Sequence, residues 1–405
     1  MQEQIFEASN GILVKYKHKP RKYDFKHLII VFSGFLKTTP GNYDFENALN
    51  DCPCDVIWIS DDFEGMYSYY LANDMDFKIE IAITELINRM MHSNELTLKD
   101  VTVTGFSKGG SAALYYGIKL NISNIVVTVP QIYIGTYLDS NWKLTAKHIM
   151  GLDYNKTKIH YFNNLIPNLL KKDFDRNKNV YLLTSEADEQ YEEHIVPNLN
   201  ELSKYSNFNL IKTYSLFVRQ HNHVTSHHTA ILLSIYYALA SEATPRFNDG
   251  QVNFFGSQPV AMEKPSLQPY IDLRKILIID NLLFIEGIAL IRGLDVENYS
   301  DIDYKLIFSG IKNYTKNLAK DNRPGLTKEF FKNELIIYDK CYFTTFQYKG
   351  MDISEIDIGS YELFIRIKVK GNEFTIPLVS NKKIEYKTSN SRFISDDKAN
   401  IFELI

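Results

Sequence analysis

Val101-Thr-Val-Thr-Gly-Phe-Ser-Lys-Gly-Gly110 is the stretch that decides the fold of this chain. Its β-branched start, Val101 to Thr104, reads as a buried strand, and Ser111-Ala-Ala-Leu-Tyr-Tyr116 reads as a helix. Between them Gly105-Phe106-Ser107-Lys108-Gly109 must turn sharply. Strand, sharp turn and helix with a serine at the apex are what a nucleophile elbow requires. Glycines two residues before and after Ser107 let the backbones approach without Cβ clashes while the serine is held strained. The turn lifts the Ser107 hydroxyl to the top of the sheet and aims the first helical N–H groups at a forming oxyanion. A bare G-x-S-x-G also arises by chance in loops. The strand before it and the helix after it give this copy its weight.

The 405 residues exceed one ordinary core, so two domains are expected. Apolar content of 45% and charged content of 23% describe an ordinary globular chain. A net charge of -4 supplies no general attraction to nucleic acid or an anionic membrane. The first residues, Met-Gln-Glu-Gln-Ile-Phe-Glu, lack the basic and apolar regions of a secretory signal, and no spanning helix is expected. Cys52, Cys54 and Cys341 read as reduced thiols of a cytoplasmic protein; Cys52-Pro-Cys54 is too tight for a usual zinc pair, and no metal site is expected. The 27 Tyr and 25 Phe, in an Asn- and Lys-rich background, read first as genome composition and second as a sugar-binding surface.

Taken in order, Gly11-Ile-Leu-Val-Lys-Tyr-Lys17 reads as an edge strand and His27-Leu-Ile-Ile-Val-Phe32 as a central parallel one. The latter leads into Ser33-Gly34-Phe35-Leu36. The loop after that strand supplies the second oxyanion N–H in hydrolases of this plan, so Gly34 and Phe35 are the candidates. Asp55-Val-Ile-Trp-Ile59 is the next strand. The polar-aromatic loop behind it, with Tyr67 and Tyr69, lies on the face where α/β proteins bind ligands; its rings either stack on a sugar or pack. Ile79, Ile83, Leu86, Ile87 and Met90 fall at helical spacing. After the elbow helix, residues 124–129 form another strand, and residues 132–175 sit where this plan inserts a lid or cap.

Residues 179–183 are again strand-like, and the acid of a triad belongs just after them. Asp188 is the choice, with Glu186 and Glu189 as close competitors; acidic residues are also favoured in the first turn of a following helix over 191–202. Beyond the strand at 208–216, four of the ten histidines fall within 221–228. His227 and His228 are placed in the first turn of a helix capped by Thr225 or Ser226. His221 is then the base, since His-x-x-Val before a helix start suits the usual His loop, and His223 is the alternative. The order Ser107, Asp188, His221 is the α/β-hydrolase order. In this reading His221 takes the Ser107 proton, Asp188 fixes its tautomer, and the N–H groups of Lys108 and Phe35 hold the oxyanion. Gly34, Tyr67 and Tyr69 line the substrate.

Residues 244–250 read as a linker. Beyond it, short strand-like runs at 304–308 and 335–338 and the alternation of 362–370 suggest a β-sandwich-like domain over 255–405, following a catalytic domain over 1–245. A structural, oligomerising or glycan-binding role fits the second domain equally well.

The first 245 residues resemble the α/β-hydrolase superfamily: Gly105-Phe-Ser-Lys-Gly109, the Ser33-Gly34-Phe35 loop, Gly65-Met-Tyr-Ser-Tyr-Tyr-Leu71 and the His221 loop carry the likeness. Within it they are similar to bacterial capsule-biosynthesis proteins and to the hydrolase-fold accessory Sec component that O-acetylates glycans on serine-rich adhesins. The resemblance implies O-acetyl transfer to, or removal from, a surface glycan made in the cytoplasm; no cofactor is expected, and the partners expected are a glycan or acyl-donor small molecule, at the periphery of a membrane glycan-assembly complex. Lys108 departs from the small or aromatic residue usual after the nucleophile; it either attracts an anionic polymer or is solvated. A small-ester hydrolase and a non-catalytic scaffold are the alternatives.

Overall fold

The computed structural model describes residues 1–35, 41, 43–247, 250–255, 267–331, 335–388, 391–396 and 399–405. Leu36, Asn248 and Asp249 of the stretches quoted above lie outside them. The chain divides into two compact units, Met1–Ser257 and Gln258–Ile405.

The first unit is mixed α/β. Its strands are β1 (Glu3–Glu7), β2 (Leu13–Lys19), β3 (Leu28–Phe32), β4 (Asp55–Ile59), β5 (Val101–Phe106), β6 (Asn124–Thr128), β7 (Asn179–Thr184), β8 (Asn207–Tyr214) and β9 (Gln251–Phe255). They lie side by side in the order β1-β2-β4-β3-β5-β6-β7-β8-β9. β1 and β2 run antiparallel to their neighbours, and the rest of the sheet is parallel. The strand predicted from Gly11 onward is therefore not at the edge, because β1, too polar and short to be legible, pairs outside it.

Alternation along the central strands builds two cores. Ile30, Phe32, Ile57 and Ile59 face one layer with Ile83, Leu86, Ala113 and Tyr116 from helices α1 (Lys78–Ser93) and α2 (Lys108–Lys119). Ile29, Val31, Val56 and Trp58 face the other layer, which receives Leu232, Ile235, Tyr236 and Leu239. Both faces are thus covered, which is why these strands read as continuous apolar runs. Between β6 and β7 the chain forms α3 (Ile134–Asn141), α4 (Lys143–Met150) and α5 (Lys156–Lys172). The helix expected after Asp188 is broken by Pro197 into a π-helical turn, Tyr191–Ile195, a 3-10 turn and the short α6 (Leu199–Leu202). The histidine-rich stretch is itself helical: α7 (His221–His227) is followed by α8 (Thr229–Ala240).

The stretch read as a linker is tied to the sheet edge. Tyr181 Oη donates to the Pro245 carbonyl at 2.6 Å, and Phe247 N donates to Asn209 Oδ1 at 2.8 Å. β9 then adds to β8.

His27, at the start of β3, is buried against Thr102, with Nε2 and Oγ1 2.8 Å apart. Burial pulls its pKa down to about 4, against a small upward pull from Asp100. The folded unit therefore holds fewer protons than the unfolded chain between pH 6.5 and 4. Stability from this residue is full above pH 6.5 and falls by about 3 kcal/mol as the pH drops to 4. In urea titrations across that window, His27→Gln should flatten the fall relative to wild type; parallel curves would refute the assignment.

In the second unit all described strand pairs are antiparallel. The pairings join eleven strands into one continuous sheet rather than the two packed sheets of a sandwich. It curls back on itself, with Leu273 N donating to the Val379 carbonyl at 2.9 Å and Ser380 Oγ to that of Leu273 at 2.8 Å. Its inner face is the alternating set Leu363, Ile365, Ile367 and Val369 packed with Leu306, Phe308 and Phe343. The run at 335–338 is not a strand: its amides are taken by side chains, Ile337 N by Asp295 and Tyr338 N by Thr327.

Candidate active site

The elbow forms because two glycines vacate a space no side chain could share. A Cβ on Gly109 would sit 2.0 Å from the Phe32 carbonyl oxygen, and one on Gly105 would sit 2.4 Å from the Gly109 carbonyl. α2 can therefore start hard against the carboxyl ends of β3 and β5. Ser107 is left at φ 54°, ψ −123°, a conformation that costs a non-glycine residue about 1–3 kcal/mol. Its amide donates to the Thr128 carbonyl at 2.9 Å, which fixes the apex to β6. The first N–H groups of α2, starting with Lys108, have no intrahelical acceptor and face the apex.

Asp188 follows β7 in a tight turn, with Asp188 N donating to the Ser185 carbonyl and Gln190 N to Asp188 Oδ1 at 2.9 Å. Its carboxylate meets His221 Nδ1 at 2.9 and 3.0 Å. The side chains are 1% and 12% exposed, so the pair is shielded from water. Of the competing acids, Glu189 accepts the backbone N–H of His221 at 3.0 Å, anchoring the start of α7. Glu186 is turned outward onto Lys212 and Tyr214. His221 Nε2 is buried and has no hydrogen-bond partner among the described residues. The ring of Phe106, the residue before Ser107, lies 6.5 Å from that of His221, so the imidazole stands beside the elbow.

The other histidines have different employment. His223 Nε2 meets Gln220 Nε2 at 3.0 Å, and its ring packs edge-on against His227. His228 is buried between α7 and α8; Nδ1 donates to the Val224 carbonyl and Nε2 accepts from Thr213 Oγ1 at 2.7 Å. His221 is in a short helix rather than the loop expected, with Gln220 in the cap position.

The loop after β3 is held by packing and by Asp44. Gly34 N donates to Asp44 Oδ2 at 2.6 Å, and a Cβ there would meet the Phe106 ring at 2.9 Å. Gly34 is thus fixed by the elbow it touches. Phe35 stacks on Trp142, between α3 and α4, at 4.1 Å and 10°. Tyr67 and Tyr69 meet the Phe35 ring edge-on at 4.8 and 5.6 Å. Tyr69 is buried and donates to Gln131 Oε1, so its hydroxyl is already committed.

Lys108 is the largest departure from expectation. Its side chain is 0% exposed, with Nζ 2.8 Å from Asp61 Oδ2, so it is neither solvated nor a lure for an anionic polymer. Burial pulls its pKa down and Asp61 works against that pull.

Four residues near the site carry no sequence signal of their own: Asp61, Gln131, Trp142 and His194. His194 is buried on the π-helical turn and accepts the Tyr133 N–H at Nδ1. Burial first, and then the neighbouring His221, lower its pKa to about 4 against an upward pull from Asp188. It is therefore a neutral imidazole beside the Asp188–His221 pair. The π-helical turn that carries His194 begins at Tyr191, shortly after the acid, and nothing local in the sequence marks it.

No family model matches the sequence, and no curated protein matches it. Among solved structures, the chain is similar to the Glycosylation Associate Protein (Gap123) complex from Streptococcus agalactiae. That match has 17% identity and a TM-score of 0.48, over 59% of this chain and 46% of that one. The chain thus spans less than half the length of that neighbour. It is also similar to the capsule O-acetyltransferase of Neisseria meningitidis serogroup A, at 19% identity and TM-score 0.47, over 56% of this chain and 94% of that one. A third neighbour is S-formylglutathione hydrolase from Staphylococcus aureus, at 12% identity and TM-score 0.44, over 59% and 98%. Among the described residues no helix is long and apolar enough to cross a membrane.

Proposed function

We propose that residues 1–257 are an α/β-hydrolase that carries an acyl group on Ser107 and delivers it to a hydroxyl of a bacterial surface glycan, with water as the competing acceptor. The observation that supports this best is the shielded Asp188–His221 hydrogen bond standing beside a strained serine elbow. The carboxylate on Nδ1 leaves Nε2 as the basic nitrogen, the tautomer a general base needs. Ser107 Oγ attacks the acyl carbonyl as its proton passes to His221 Nε2, and the oxyanion settles on the N–H groups of Phe35 and Lys108. Collapse expels the leaving group, which takes the proton from His221 and leaves an ester on Ser107. The acceptor hydroxyl then attacks that ester, its proton passes to His221, and the product leaves as Ser107 recovers its hydrogen.

The glycan acceptor rests on the motif resemblance, and transfer over hydrolysis is favoured by the cap, whose Trp142 covers Phe35 at the oxyanion loop. Phe35, Tyr67 and Tyr69 act as the wall of this site rather than as free sugar platforms. The test is a chromogenic acetyl ester offered with and without capsule-type oligosaccharides, read by intact-protein mass and by product analysis. An acetyl adduct on Ser107 and release quickened by an acceptor are expected. Release indifferent to every acceptor would instead favour a small-ester hydrolase, and no adduct at all would defeat both.

A further inference from the structure

We propose that the buried Lys108–Asp61 ion pair is a positioning device that sets the two oxyanion amides, those of Phe35 and Lys108, relative to one another. The inference rests on the acyl-transfer reading above. Asp61 follows β4 and is a junction: its Oδ1 accepts from Ser68 N, Ser68 Oγ and Tyr70 N, and its Oδ2 from Tyr69 N and Lys108 Nζ. Tyr69 and Tyr70 both stand at positive φ, 57° and 61°, a pair of strained conformations that persists only where its surroundings enforce it. Asp61 is what enforces it.

Both oxyanion loops connect to this junction. Lys108 reaches it with its own side chain, so the amide at the head of α2 and the ammonium on Asp61 belong to one residue. The Phe35 loop reaches it twice. Ser33 N donates to Tyr70 Oη at 2.7 Å, and the Phe35 ring lies 5.4 Å from Lys108 Nζ in a box completed by Tyr67 at 5.0 Å and Tyr70 at 4.3 Å. Stability does not account for the arrangement. A buried ion pair is usually matched or bettered by well-packed apolar side chains, because desolvating two charges offsets their attraction. What an ion pair adds is a fixed distance and direction, and oxyanion stabilisation depends on the donors' placement.

Removing one partner leaves a buried charge and threatens folding, so the decisive variant neutralises both: Lys108→Met with Asp61→Asn. It should unfold cooperatively and keep KM for a chromogenic acetyl ester within about threefold, while kcat falls about 10²–10³-fold, the loss expected when an oxyanion donor is displaced. A packing role alone would lower the melting temperature and leave kcat of the folded protein unchanged. Tyr70→Phe, which keeps the ion pair and removes the hydroxyl that accepts Ser33 N–H, should fold and lose about tenfold in kcat at constant KM. If the double variant does not fold, Tyr70→Phe decides. Wild-type kcat in whichever folded variant is measured overturns the inference, while fluorophosphonate labelling of Ser107 in wild type shows that the acyl-transfer reading still stands. Wild type that neither labels nor turns over would overturn both.

Discussion

Ser107→Ala is expected to abolish labelling by a fluorophosphonate and to lower ester turnover by about 10⁴–10⁶-fold, leaving only what positioning and the oxyanion amides provide. The companion variant is more telling. Ser107 is held at φ 54°, ψ −123°, and the residue is 5% exposed, so its strain is a fixed property of the folded state. Glycine meets that conformation at little steric cost, whereas alanine meets it much as serine does. Ser107→Gly should therefore be as inactive as Ser107→Ala yet about 1 kcal/mol more stable than wild type, after allowing for the extra freedom glycine gains when unfolded. Urea midpoints of the three proteins check this. A glycine variant less stable than the alanine variant would show that the elbow is not strained.

The second large effect concerns the base. His221→Ala should reduce kcat about as far as Ser107→Ala, since the two act as a unit. Asp188→Asn should cost about 10⁴-fold by presenting the wrong tautomer to the serine. His223→Ala should leave turnover within a few-fold, because its ring meets Gln220 and His227 rather than Asp188. The opposite pattern, an active His221→Ala and an inactive His223→Ala, would move the base to His223. Glu186→Gln should be silent, and Glu189→Gln should weaken only the anchoring of α7.

The elbow could be read from sequence because everything that makes it is local: a β-branched run, two glycines at fixed offsets and a helix former. The central strands could be anticipated for the same reason, since continuous apolar runs mark strands covered on both faces. Asp188 is the choice from sequence, but what separates it from its neighbours is the turn that sends Glu186 outward and Glu189 onto a backbone amide, and that turn is set by tertiary contacts. Lys108 was misread because a lysine carries no mark of burial in sequence, and the carboxylate that accepts it lies 47 positions away. Residues 132–175 hid three helices behind mixed periodicity. In the second unit, alternation correctly reported half-buried strands, but nothing local says whether a sheet will end against a partner or curl to meet itself.

β9 bears on how this protein can be cut down. It lies beyond a stretch of proline and glycine that invites a boundary, yet its backbone completes the hydrogen bonding of β8, whose residues alternate between buried and partly exposed. A shortened chain that stops at residue 245 would carry Ser107, Asp188 and His221 intact but would leave β8 as a bare edge, ready to pair with the same edge of another copy. Inactivity of such a fragment would then report self-association rather than chemistry, and the shortest chain fit for kinetic work is one that runs through Phe255.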